Sequence, residues 1–228
     1  MNAREYNAIL DRLKSGENVE ISDVAGFLRE QARDEIRRGM EAAALCSRPL
    51  NVEDLDRILT LYGGNRTIWA LFTGLISCYG VTSEALASGL GRAYTIGAAD
   101  RQTALTLFRT VEARKIMNAD DYAALRAFPE VLTIYRGGDL NEHRRRRYGL
   151  SWTRDRETAE FFAWRFNPQD RGRAVFRTTI QAAEALAYFN TRQEQEIITD
   201  VRGAVEVLAR EPSRLFWDRM GDDYGKQE

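Results

Sequence analysis

Three short stretches in the last third of this chain carry the polar residues whose types and order could do chemistry. Residues 131–138 form an apolar, β-branched run that ends on Arg136, Gly137 and Gly138. Residues 148–153 set Ser151 and Thr153 on either side of Trp152, and residues 194–200 bring Glu194, Glu196 and Asp200. Each run has the composition of a buried strand and delivers polar groups at a strand end or edge. A cation, a hydroxyl pair and a carboxylate pair, brought together by strand pairing, suit a dinucleotide whose glycosidic bond is to be broken. Cleaving such a bond builds oxocarbenium-like positive charge on the sugar, which a carboxylate held beside it stabilises. Arginine suits the anionic pyrophosphate, because its planar fork makes paired, charge-assisted bonds.

The elements that must position these groups change character at Phe128 and Pro129. Before that point the spacing predicts helix after helix. Tyr6, Ile9, Leu10 and Leu13 share one face of a first helix, and Ser22 can cap a second that runs to about Cys46. Asn51 is the expected N-cap of a third, carrying Leu55, Ile58, Leu59 and Tyr62 and closed by Gly63 and Gly64. Residues 67–79 are apolar nearly all round, which predicts the buried centre of a bundle. Gly80, Gly89, Gly91 and Gly97 then predict short turns, and Asp100 the start of another amphipathic helix. After Pro129 strands and short helices alternate. Asp155 can cap a helix through Phe161 and Phe162, and further strands are expected at 173–180, 194–199 and 204–209. The tail beyond Pro212 holds Leu215, Phe216 and Trp217. We therefore expect two domains, a helical one over 1–129 and an α+β one over 130–228, packed together without a low-complexity linker.

Composition narrows the field. The chain has 228 residues, 44% hydrophobic and 29% charged, with Lys+Arg 33 against Asp+Glu 34 and a formal net charge of -1. That balance calls for neither nucleic acid nor a membrane surface. Cys46 and Cys78 share no metal-ligand spacing and are expected as buried thiols in a reducing compartment. His143 cannot complete a zinc site with them by any familiar pattern. The N-terminus lacks an apolar signal region, and residues 67–79 fall short of the roughly 20 needed to span a bilayer. A cytoplasmic protein is expected, including one that works in a host cell after delivery by infection or secretion.

Over residues 131–209 the order of motifs resembles the mono-ADP-ribosyltransferases of the arginine–serine–glutamate class. Tyr135, Arg136 and Gly137 are similar to the family's first-strand arginine. Ser151, Trp152 and Thr153 are similar to its Ser-Thr-Ser element, with tryptophan replacing the middle hydroxyl. Glu194, Gln195 and Glu196 are similar to its Glu-x-Glu signature. The resemblance implies an α+β domain of two small mixed sheets around an NAD cleft, with NAD as substrate and no metal. It implies transfer of ADP-ribose to a protein, with release of nicotinamide, by a toxin or effector. Glu196 would act at the ribose, oriented by Ser151, while Thr153 shapes the pocket and Arg136 meets the pyrophosphate. Gly137 would let the backbone approach the nicotinamide, and an aromatic would sandwich its ring; Phe162 fits that place, though it and its neighbour Phe161 also read as core residues. Glu194 would engage an arginine acceptor, and the loop over 188–193 would meet the target protein through Tyr188 or Phe189, aided by the helical region.

Two alternatives keep the same residues. Water as acceptor makes an NAD glycohydrolase, and a degenerate site makes a protein-binding module. The run from His143 to Arg147 reads either as a solvated loop or as a patch that steers an anionic cofactor or partner.

Overall fold

The computed structural model describes residues 21–190, 192–214, 216 and 217. The helix expected over residues 6–13 lies outside them, as do the side chain of Ser22 and the docking of Leu215. The described chain forms two compact units that divide between Asp100 and Arg101, and not near residue 129.

The first unit is helical. Helices α1 (Ile21–Ala44), α2 (Val52–Tyr62), α3 (Ile68–Cys78) and α4 (Ser83–Ile96) follow one another. Asn51 caps α2 in a reciprocal box: its side chain accepts from the Asp54 amide at 2.9 Å, and the Asp54 carboxylate accepts from the Asn51 amide at 3.2 Å. Leu55, Ile58 and Leu59 then bury the inner face. Helix α3 buries Ile68, Trp69, Leu71, Phe72 and Leu75 but leaves Ala70, Ser77 and Cys78 exposed, so it has an outer face after all. Cys46 is only half-buried and both thiols are free, which corrects the expectation of two buried cysteines.

Gly89 and Gly91 do not break the chain. Both sit inside α4, whose start is capped by the Thr82 hydroxyl accepting from the Ala85 amide. A Cβ at Gly89 would lie 2.7 Å from Leu55 Cδ2 and 2.8 Å from Phe72 Cε2. Glycine is there because α4 seats directly on α2 and α3.

The second unit is α+β. It opens with α5 (Arg101–Thr110), α6 (Ala113–Ile116) and α7 (Ala119–Arg126), continues through β1 (Val131–Asp139), α8 (Leu140–Arg144), β2 (Ser151–Thr153), α9 (Arg156–Trp164) and β3 (Arg173–Gln181), and ends with β4 (Ala185–Phe189), β5 (Glu196–Thr199) and β6 (Glu206–Ala209). Helices α5 to α7 belong to it because all three pack against β4. Asp200, just past β5, secures α5 by pairing with Arg101 and, at 2.8 Å, with Arg109.

The strands form one six-stranded sheet in the order β4-β5-β2-β1-β3-β6, every neighbour antiparallel. This replaces the expected two small mixed sheets. The physical reason is β1, which pairs with β3 along its whole length and with β2 on its other edge, so the ladder runs without a break. Leu132 and Ile134 of β1 are buried while Val131 and Thr133 are exposed, the alternation of a sheet with one covered face. Asp155 caps α9 as expected, accepting from the Glu157 and Thr158 amides. Helix α9 lies against β1 and β3.

These contacts assign opposite signs to two glycine substitutions. Gly89→Ala should destabilise the protein by about 1–3 kcal/mol, because its new methyl overpacks two buried side chains. Gly26→Ala in α1, where a Cβ meets nothing within 4 Å, should stabilise by roughly 0.5–1 kcal/mol through helix propensity alone. Thermal denaturation of the two variants beside wild type checks both.

Candidate active site

Antiparallel pairing is what assembles the polar groups. Thr153 stands opposite Glu196 and Ser151 opposite Ile198, so Ser151, Thr153 and Glu196 share one face of the β2–β5 pair. Tyr135 of β1 stands opposite Thr153, which brings Arg136 and Gly137 to the same neighbourhood. These residues line a cavity of about 280 Å³ together with Phe162, Arg165, Phe166, Arg173, Arg192 and Glu194.

Glu196 is buried, at 8% exposure. The Ser151 hydroxyl donates to its Oε1. Burial pushes the Glu196 carboxyl above the usual range, and Glu194 nearby adds to this, while the Ser151 hydrogen bond and the charges of Arg192 and Arg136 act against it. Thr153 serves the loop that precedes β5: its hydroxyl donates to the Glu194 carbonyl at 2.6 Å and accepts from the Asp155 amide at 3.0 Å.

Glu194 is not on a strand, as its spacing from Glu196 suggests. It sits in the loop, between Gln193 and Gln195 at φ 58 and 46. Left-handed backbone costs such residues ~1–2 kcal/mol each, and the loop is held by several bonds. Asn190 accepts at its carbonyl from the Gln193 amide (2.8 Å) and at Oδ1 from the Gln195 amide (3.2 Å). Asp121 of α7 accepts from the Asn190 amide at 3.2 Å. The Glu194 carboxylate pairs with Arg192 at 2.8 Å.

Arg136 is less free than a ligand-binding arginine was expected to be. Its Nε and Nη2 donate to Glu142 at 2.9 and 3.2 Å, and its Nη1 donates to the Ser151 carbonyl at 2.7 Å. All three nitrogens are thus engaged, with the second hydrogen on each Nη still available. Glu142 also accepts from the Gly149 amide at 3.0 Å and the Asp139 amide at 3.3 Å. Burial would raise its carboxyl, but Arg136 and these amides prevail and hold it below the usual range. Gly149 is required by the same pair, since a Cβ there would lie 2.4 Å from Arg136 Nη2.

No protein-family model, curated protein or solved structure matches this chain. The site is therefore read from its own geometry.

Gly137 lines the cavity, and its missing side chain is explained by the helix packed against it. A Cβ there would lie 2.2 Å from the Ala159 carbonyl and 2.4 Å from the Ala163 amide. Glycine lets α9 press on β1, and that contact carries Phe162 to the cavity while Phe161 packs against the cluster of Ala159, Ala163, Trp164, Val175 and Phe216.

Tyr188 is a correction. It lies in β4, 4% exposed, with its ring edge-on to Phe128 at 5.0 Å, and cannot be a target-facing loop residue. Phe189 closes the same strand and is half-buried, and among the described residues that follow it Asn190, Arg192 and Gln193 are exposed. Residues 144–147 are exposed, as a solvated run should be, but the run starts within α8. His143 is structural: its Nδ1 meets the Tyr148 hydroxyl at 2.7 Å and its ring stacks on Phe176 at 5.8 Å.

Arg165 went unnoticed in the sequence. Its guanidinium lies over Phe162 at 4.6 Å and Phe166 at 4.5 Å, and its buried Nε has no hydrogen-bond partner among the described residues. Burial depresses its pKa, with Glu194 opposing. The aromatic–arginine spacing 162, 165, 166 at the end of α9 was the available signal. Arg173 is spent on the end of α9, donating to the Ala163 and Phe162 carbonyls at 3.0 and 3.2 Å.

The Arg136–Glu142 pair yields a prediction independent of any ligand. Removing the carboxylate leaves a largely buried guanidinium without its counter-charge, so Glu142→Ala should lower stability by about 3 kcal/mol, the small end for such pairs because both groups keep some solvent. Urea unfolding of the variant and wild type measures it.

Proposed function

We propose that this protein is an NAD-dependent mono-ADP-ribosyltransferase that modifies a protein target on an arginine side chain, releasing nicotinamide, and that residues 101–228 form its ADP-ribosyltransferase-like domain. One observation carries the reading. A serine hydroxyl donates to a buried carboxylate, Ser151 to Glu196, on the wall of a cavity that Arg136, Gly137, Phe162 and Glu194 also line. The resemblance to the family rests on Arg136, Gly137, Ser151, Glu194 and Glu196 among these residues, drawn from three separate stretches of sequence.

The chemistry of the lining fits NAD. The unmatched Nε of Arg165, and the remaining hydrogens of Arg136, suit an anionic pyrophosphate. Phe162 offers an aromatic face to a nicotinamide ring. Glu196 supplies negative charge for the ribose as it turns cationic, from a position that Ser151 keeps in place before reaction begins. Burial of that carboxylate leaves it poorly solvated, and an unsolvated charge stabilises a developing cation more strongly. Glu194, part-exposed at the cavity, is the group left to engage an acceptor guanidinium.

Incubation with labelled NAD and cell extract is the test. Label on a protein supports transfer, and free ADP-ribose alone makes the protein a glycohydrolase. Intact NAD after long incubation overturns both and leaves a binding module.

Two further outcomes follow. Glu196→Gln should slow nicotinamide release by ~10²–10³-fold, the loss when one preorganised electrostatic group is removed, whereas Glu194→Gln should impair label incorporation and spare slow hydrolysis. Parallel measurement of both products separates the two carboxylates.

The pH dependence has a definite sign. Only ionised Glu196 can act, and its pKa is raised, so nicotinamide release should fall on acidification at a pH above the ordinary glutamate value of about 4.3. Ser151→Ala removes a bond that favours the charged form, so the acidic limb of its rate profile should move further up. A limb that stays put would separate Ser151 from the titrating group.

A further inference from the structure

Among the described residues four arginines line the cavity: Arg136, Arg165, Arg173 and Arg192. Arg136 is committed to Glu142, Arg173 to backbone carbonyls, and Arg165 to the faces of Phe162 and Phe166. Arg192 differs from them. Its Nη2 lies 2.8 Å from Glu194 Oε2, the carboxylate read above as the one that engages an acceptor guanidinium. Its side chain is 53% exposed, and ion pairs so exposed contribute little to stability. It lines the same cavity as Glu196, so both carboxylates and Arg192 face one space.

The loop is built to hold this arrangement. Gln193 and Gln195 adopt left-handed backbone on either side of Glu194. Asn190 accepts from both their amides, and the Glu194 carbonyl is tied to Thr153. Arg192 and Glu194 are thus brought together by constraints on the turn that carries them, and not by the weak attraction between two exposed charges.

We infer that Arg192 is itself an acceptor: the chain transfers ADP-ribose from NAD to its own Arg192. The inference rests on the transferase reading and deepens it. The bond between the ribose anomeric carbon and the nicotinamide nitrogen breaks, and its electron pair leaves with nicotinamide. An Nη of Arg192 forms the new bond to that carbon, and the proton this nitrogen sheds passes to Glu194 and then to water. NAD supplies the whole transferred group, so no other reactant is needed. Because donor and acceptor share one chain, the acceptor is present at a high effective concentration.

The experiment uses the purified full chain with NAD and no other protein, following nicotinamide release and mapping modified peptides by mass spectrometry. The expected result is one ADP-ribosyl group per chain, on Arg192, at a rate per molecule that does not change on dilution. Glu196→Gln should lose the modification by on the order of 10²–10³-fold. Nicotinamide release with Arg192 unmodified would overturn this inference and leave the transferase reading standing. Modification of Arg192 that slows on dilution would mean transfer between copies, and it too overturns the inference. Absence of nicotinamide release would overturn the transferase reading, and this inference with it.

Discussion

The register of β2 against β5 is the constraint on which the candidate site depends. Thr153 opposite Glu196 puts Ser151 within reach of the Glu196 carboxylate. A slip of one residue would turn every side chain of β2 to the other face. With only three residues, β2 cannot hold that register by backbone bonds alone. The opposite face holds it, where Trp152 and Ile197 stand paired and Tyr188 lies beyond Ile197 in β4, all three buried. Apolar packing behind the sheet thereby sets the geometry of polar groups in front of it. The Trp152 indole also donates to the Gly149 carbonyl, tying the strand to the segment that cradles Arg136.

Burial makes the polar groups of this site costly, and the structure answers by pairing them. Arg136 is matched by Glu142 and the Ser151 carbonyl, Thr153 by the Glu194 carbonyl, and Glu194 by Arg192. What is left unbalanced is informative: a carboxylate whose pKa burial raises, and a guanidinium nitrogen without a partner among the described residues. A buried charge with unmet demand is where a ligand of the opposite charge gains most. Glu196 favours a cation that develops during reaction, and Arg165 an anion that arrives with the ligand. Both charges line the same cavity.

Much of the fold was legible because local rules and tertiary packing agree. Asn51 and Asp155 cap helices as their side-chain oxygens predict, and the β-branched run from Val131 becomes a strand. Where the reading failed, tertiary contacts had overridden a local signal. Gly89 and Gly91 looked like breaks, but both lie inside α4, and at Gly89 close packing needs an absent side chain more than it needs helix propensity. Residues 185–187, rich in alanine, gave no strand signal, and they are a strand because β5 offers them a ladder. That same ladder buries Tyr188, which a chain read without its neighbours leaves in a loop. Helices α5 to α7 look like a continuation of the helical half until β4 gives them something to pack on.

The residue types of the candidate site were present in the sequence, and so was their order. Arginine with trailing glycine, two hydroxyls around a tryptophan and a pair of glutamates narrow the chemistry because few reactions use that set. Their partners were not legible. Glu142 holding Arg136, Arg165 lying across two phenylalanines and Arg192 turning onto Glu194 depend on where loops and helix ends come to rest. Chemical identity is a property of each residue alone, so the sequence by itself determined which groups are available. Which charge each group meets is a matter of a few ångströms, because attraction falls with distance and grows as water is excluded. Only the pairing of the strands and the course of the loop at 190–195 settle those distances.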